Sequence, residues 1–263
     1  MTKLFKEIFR ERKMIFNLAI NDFLKRYANS YFGIIWAFVQ PIMTILVFWF
    51  VFQVGFKNPP IQDIPFIVWF ITGLIPWFFF QDATLSATNC FFEYNFLVKK
   101  VLFKISILPI VKILSSLFVH VVFLGFMFAI YSLYDIKFSM YAFQIIYYLL
   151  CMIFYILGLS FITSSIVLFF TDTIQILAIV MQFGMWLTPI MWSYTIMPDK
   201  YSWVFNLNPM YYVVQGYRDS LINHIWFWDK PIAAMYFWGL TVLYFIIGVV
   251  VYQKLKPHFS DVL

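Results

Sequence analysis

Apolar stretches long enough to cross a bilayer recur about six times along this chain, and that repetition decides its fold class. A helix rises about 1.5 Å per residue, so about 20 apolar residues span the roughly 30 Å hydrocarbon layer. The stretches fall at about 32–55, 64–80, 109–133, 141–170, 173–197 and 231–252. Inside hydrocarbon each segment must satisfy its own backbone N–H and C=O groups, which helices do. The expected fold is therefore an all-α integral membrane protein with six transmembrane helices. Composition agrees, with 63% hydrophobic and 11% charged residues where soluble domains carry about a quarter charged. The 263 residues leave no room for a second, soluble domain once six spans are counted. Residues 32–263 read as one transmembrane domain, preceded by a charged segment over 1–31, which lacks the apolar core and cleavage site of a signal peptide.

Charge sets the orientation. With the N-terminus placed in the cytoplasm, 13 of the 18 Lys and Arg residues fall inside, among them Lys99, Lys100, Lys104, Lys112, Lys254 and Lys256. Only Lys57, Lys137, Lys200, Arg218 and Lys230 fall outside. This is the positive-inside distribution, and it puts both termini on the cytoplasmic side.

Three interruptions of the apolar pattern stand out. In the N-terminal segment Phe5, Phe9, Phe16, Ile20, Phe23 and Tyr27 recur at helical spacing opposite Lys6, Arg10 and Lys13. That is the pattern of an amphipathic interfacial helix, and equally of a basic flank that only sets topology. After the second span, Phe91 to Leu108 sets an apolar patch beside Lys99, Lys100 and Lys104 across the cytoplasmic mouth, where a cytosolic protein could dock. Between the fifth and sixth spans, Met197 to Lys230 is too aromatic for a water-exposed loop and is broken by Pro198 and Pro209. It reads as short re-entrant gate helices, carrying Phe205, Tyr211 and Tyr212, or as an aromatic belt at the interface.

Catalytic chemistry is not evident. There is no phosphate-loop motif G-x-x-x-x-G-K-[ST] and no H-E-x-x-H zinc motif. His120, His224 and His258 form no pair at helical spacing, and Cys90 and Cys151 lack metal or redox spacing. No catalytic and no metal-binding residue is assigned, and no nucleic-acid partner is expected. Carboxylates such as Asp82, Glu93 and Asp172 lie at span ends, which weakens an ion-coupled transporter and an intramembrane enzyme alike. The spans offer aromatic rings and amides instead. Phe38, Ile42, Ile45, Trp49, Phe52 and Phe56 form one stripe on the first span, and Gln175, Gln182 and Trp186 share a face of the fifth. Such faces suit a channel that stacks sugar rings and bonds their hydroxyls, and they suit packing between helices or against lipid.

The ordered motifs resemble those of type 2 ABC exporter permeases for polysaccharides. Arg26 to Pro41 resembles their R-Y-x-x-S-x-L-G-x-x-W-x-x-x-x-P signature, and Gly73 to Phe80 their G-x-x-P-W-x-F-F element. Asn95 to Val101 is similar to their N-x-x-L-V-x-K-V segment, Phe170-Thr171-Asp172 to F-R-D, Thr188-Pro189-Ile190 to T-P-I, and Asn208-Pro209-Met210 to N-P-M. Thr171 stands where the family has Arg, and Phe103-Lys104-Ile105 where it has F-P-R. The resemblance implies a homodimer in the cytoplasmic (inner) membrane, driven by two copies of a separate ATP-binding subunit that holds the ATP and Mg, with no cofactor in this chain. It implies a polyprenyl-diphosphate-linked polysaccharide as substrate, O-antigen first, with teichoic acid, capsule or drug export as alternatives. A stand-alone membrane glycosyl- or acyl-transferase is the alternative of another class. On this resemblance Asn95, Phe96, Leu97, Lys99 and Lys100 couple to the ATPase, Arg10, Lys13, Lys25 and Arg26 receive the lipid diphosphate, and the first and fifth spans wall the channel.

Overall fold

The computed structural model describes residues 9–28, 31–57, 60, 61, 64–99, 103–193, 196–198, 200 and 202–263. The described residues are overwhelmingly helical. In chain order they form α1 (Arg12–Tyr27), α2 (Trp36–Trp49), α3 (Phe66–Thr88), and the short α4 (Cys90–Glu93) and α5 (Asn95–Val98). Then come α6 (Leu108–Leu133), α7 (Gln144–Val167), α8 (Thr173–Leu187), α9 (Ser202–Leu207), α10 (Pro209–Arg218), α11 (Pro231–Leu255) and α12 (Phe259–Val262). Among the described residues, five helical stretches are long and apolar enough to cross a membrane: Gly33–Gly55, Phe66–Thr88, Ile105–Leu133, Met140–Val167 and Pro231–His258. Thr173–Leu187 is a shorter apolar helix.

Helix α3 is the post of the bundle, packed against α6, α7, α8 and α10, with most of its side chains buried. Helix α11 lies outside it, against α7. There two glycines face each other: a Cβ on Gly248 would come within 2.7 Å of the Gly158 carbonyl oxygen. Small residues let helices approach closely where lipid gives no hydrophobic drive to associate. Many hydroxyls in this core are hydrogen-bonded, some to their own helix and some between helices. Thr84, Ser160 and Thr241 donate to the carbonyls four residues back, while Thr72 meets the Tyr131 hydroxyl at 2.6 Å and Thr88 meets Thr163 at 2.7 Å.

Two boundaries differ from the sequence expectation. The second span does not stop near residue 80 but continues as helix to Thr88, carrying Asp82 inside it. The fifth stops at Leu187, ten residues early, because Thr188 precedes Pro189 and takes extended backbone (φ −80°, ψ 129°). The residue before proline is disfavoured in the α region, so the helix ends there. Helix α1 packs on α6 through Ile15, Ala19 and Asp22, while Phe9 and Phe16 stay exposed.

Candidate functional site

The end of the bundle that carries α1, α4 and α5, here the basic end, is tied by buried charge. Lys112, on the first turns of α6, is 1% exposed. Its ammonium donates to Asp22 of α1 and to Glu93 of α4, each at 2.5 Å. The Tyr94 hydroxyl donates to the same Asp22 oxygen at 2.9 Å. On the next turn of α1, Arg26 donates to both oxygens of Asp82 (3.0 and 3.2 Å), lies 3.5 Å from Asp22 and donates to Ser116 at 3.3 Å. Burial by itself would raise the Asp22 carboxyl, but the charge and hydrogen bond of Lys112, with Ser115 and Arg26 behind them, hold it below its ordinary range. Burial, then the neighbouring Asp22, pushes the Tyr94 phenol up. Four elements meet here: α1, α3, the α4–α5 turn and α6.

The opposite end, here the hairpin end, holds α9, α10 and the loops before α11. Asn208 caps α10 by accepting from the Met210 N–H at 3.0 Å, and Pro209 follows at the first helical position. The Asn208 amide donates to Thr188 at 2.7 Å, so the N-P-M and T-P-I motifs grip each other. Arg218, at the end of α10, is buried at 2% exposure, with its guanidinium 3.5 Å from the centre of the Trp69 ring. It donates to the carbonyls of Pro189 (2.7 Å) and Ile190 (3.1 Å). Gly73 leaves the space for it, since a Cβ there would lie 2.8 Å from the guanidinium. The neighbouring Asp219 is engaged elsewhere, with Lys230, Gln215 and Asn223. Between α10 and α11 a cavity of about 670 Å³ is lined by Trp203, Tyr211, Tyr212, Gln215 and Tyr236 among others.

The residues singled out in the sequence distribute as follows. Phe205 and Tyr212 are buried in this hairpin, Phe205 against Trp192 (5.3 Å) and Tyr211 (6.1 Å), Tyr212 against Phe237 (5.1 Å). Phe38 packs on Phe123 of α6, and Phe52 on Phe66 of α3, while Trp49 is half-buried and Phe56 exposed. Gln175, Gln182 and Trp186 are all exposed on α8, and Trp186 lies beside Phe48 of α2 at 6.4 Å. The outward faces of α2 and α8 also carry exposed apolar side chains, among them Leu46, Val47, Ile179 and Phe183. Asn95, Phe96 and Lys99 are exposed and Leu97 half-buried at the tip of the basic end; Lys100 lies outside the described residues. Arg10, Lys13 and Lys25 are exposed on the N-terminal helical segment, Arg10 paired at the surface with Glu11 (3.1 Å), whereas the half-buried Arg26 is engaged by two carboxylates.

Sequence reading missed Asp22, Asp82, Lys112 and Arg218 as structural centres. Their only local signal was cost. A charged side chain placed by its helix toward the bundle has to find a counter-charge or a set of carbonyls.

Against known proteins, the sequence profile described as ABC-2 type transporter matches residues 14–222. The chain is similar to two proteins of Klebsiella pneumoniae named O-antigen export system permease protein RfbA. One is 24% identical over 243 residues and the other 25% over 250, each alignment covering 92% of both chains. A protein of the same name from Myxococcus xanthus is 23% identical over 226 residues, 85% of this chain and 86% of that one.

Proposed function

We propose that this chain, which belongs to the ABC-2 type transporter family, is the channel-forming subunit of an ATP-driven exporter of polyprenyl-diphosphate-linked polysaccharide, O-antigen first. The observation that carries the substrate is the near end-to-end similarity to O-antigen export permeases. In this reading the five long helices and α8, continued by the hairpin, make six crossings, with both termini and the basic end in the cytoplasm. Residues 1–31 form the interfacial segment and 32–263 the permease domain. Two copies associate through the apolar faces of α2 and α8. Each copy takes up an ATP-binding subunit on the segment that carries Asn95, Phe96, Leu97, Lys99 and Lys100. Phe38, Trp49, Phe52, Phe56, Gln175, Gln182 and Trp186 wall the conduit, and Phe205, Tyr211 and Tyr212 belong to its external gate. The diphosphate falls to Arg10, Lys13 and Lys25, because Arg26 is already neutralised by Asp82 and Asp22.

Deleting the gene in its own host is expected to abolish the surface polymer while its lipid-linked precursor accumulates in the cytoplasm. Re-expressing the chain with its ATP-binding partner is expected to restore export. Unchanged surface polymer in the deletion strain would overturn the substrate assignment.

A further inference from the structure

A second cavity, of about 490 Å³, opens at the basic end between α2, α3 and α6. That volume lies within the range of small-ligand sites. Its chemistry is mixed in a particular way. Trp36 and Phe78 present ring surface, and Gln40, Thr44, Gln81 and Asp82 present hydrogen-bonding groups. The Asp82 side chain is 49% exposed, and its carboxylate is held in place by Arg26. A carboxylate accepts at up to four lone-pair positions, so the two Arg26 contacts leave Asp82, which lines the cavity, with further acceptor capacity. Trp36 is about half exposed, with Phe32 edge-on to it at 5.9 Å, and it lines the cavity. An apolar ring face beside carboxylate and amide groups complements a pyranose, which has an apolar C–H face and an equatorial rim of hydroxyls.

Charge decides between a sugar and a phosphate. In the cluster that backs the cavity, Asp22, Asp82 and Glu93 face Arg26 and Lys112. The cavity lining itself holds Asp82 and neither Lys nor Arg, and Arg26 behind it is already paired. An anionic group entering here is repelled by Asp82, whereas an uncharged, hydroxyl-rich ring is not.

We propose that this cavity is a saccharide-binding subsite at the basic end, taking an uncharged sugar of the exported chain and rejecting the diphosphate of its carrier. The proposal rests on the export reading given above. It adds a division of labour, in which α1 handles the phosphates and the cavity between α2, α3 and α6 handles the first sugars to enter.

The test uses the chain purified with its ATP-binding partner in lipid nanodiscs. The probe is lipid-free glycan released by mild acid from the host's own surface polymer, followed by saturation-transfer NMR, with inorganic pyrophosphate as competitor. The expected result is saturable glycan binding that pyrophosphate does not displace. Trp36→Ala and Gln40→Leu are each expected to weaken it at least tenfold, while Ile246→Ala on the far helix α11 leaves it unchanged. Asp82→Asn is expected to weaken it too; because that change also disturbs Arg26, the Gln40→Leu result carries the decision, with the melting temperature verifying the fold. Glycan affinity unaltered in both Trp36→Ala and Gln40→Leu, or displacement by pyrophosphate, or no binding at all, would overturn the subsite. Export in intact cells is scored separately. Restored export without glycan binding refutes the subsite alone, and surface polymer that persists unchanged in the deletion strain refutes the reading beneath it.

Discussion

Lys112 and Asp22 lie 90 residues apart in sequence, yet their side chains meet in a site closed to solvent. Removing one partner of a buried pair leaves the other charge uncompensated, at a cost of about 3–5 kcal/mol. Lys112→Met is therefore expected to lower the melting temperature in detergent substantially, and Lys112→Met with Asp22→Asn to recover most of the loss. Equal melting of the single and double variants would contradict this. The same pair gives a pH dependence with a definite sign. The folded-state pKa of Asp22 is depressed, so its contribution is present above the unfolded value of about 4 and is lost as pH falls through the lower folded value. Asp22→Asn is expected to flatten the acid limb of the melting-temperature curve below about pH 4 while lowering its plateau. At the other end, Gly73→Ala would push a methyl against the Arg218 guanidinium. Overpacking of this kind costs about 1–3 kcal/mol, and thermal unfolding of the variant measures it.

Among the elements, α7 and α11 depend on the glycine contact between Gly158 and Gly248. Gly248→Leu is expected to separate these helices and reduce the folded yield in detergent, while Gly239→Ala, with open space around its Cβ, is expected to be neutral or mildly stabilising. The basic tip makes a functional prediction. Lys99→Glu, on an exposed position after α5, is expected to uncouple ATP hydrolysis from export more than Lys57→Glu in the loop after α2; equal effects would argue against docking at α5. How far each element could be read in advance follows from the range of the physics involved. Apolar stretches set the long helices, because crossing length is a local property. Proline set the end of α8, but the expected span ran through it, since apolar residues continue to Met197. The extension of α3 to Thr88 was hidden, because Asp82 reads as a span end until Arg26, 56 residues away, neutralises it. Arg218 read as an external charge for the same reason. Its stacking on Trp69 and its carbonyl acceptors come from α3 and the turn after α8. The T-P-I, N-P-M and G-x-x-P-W motifs were visible as separate strings; only the fold brings Pro189, Ile190 and Gly73 around one guanidinium and ties Asn208 to Thr188.

For the whole molecule, the division between ends is the working idea. The basic end joins α1, the α4–α5 turn and α6 through Lys112, so force applied at the exposed tip of α5 has a short path into α3 and α6. The hairpin end is held together by Arg218 and the Asn208–Thr188 contact. The apolar faces of α2 and α8 are wide enough in the isolated chain to require lipid or a second copy. The central claim is that this chain, paired with an ATP-binding subunit, carries a lipid-linked polysaccharide across a membrane. Its most direct test is translocation in proteoliposomes that contain this chain, its ATP-binding partner and the radiolabelled lipid-linked glycan, scored by access of an added glycosidase to the far side. ATP with Mg is expected to convert protected glycan into cleavable glycan, and omitting either this chain or ATP is expected to prevent it. Equal protection with and without ATP, in vesicles where the partner hydrolyses ATP, would contradict the account.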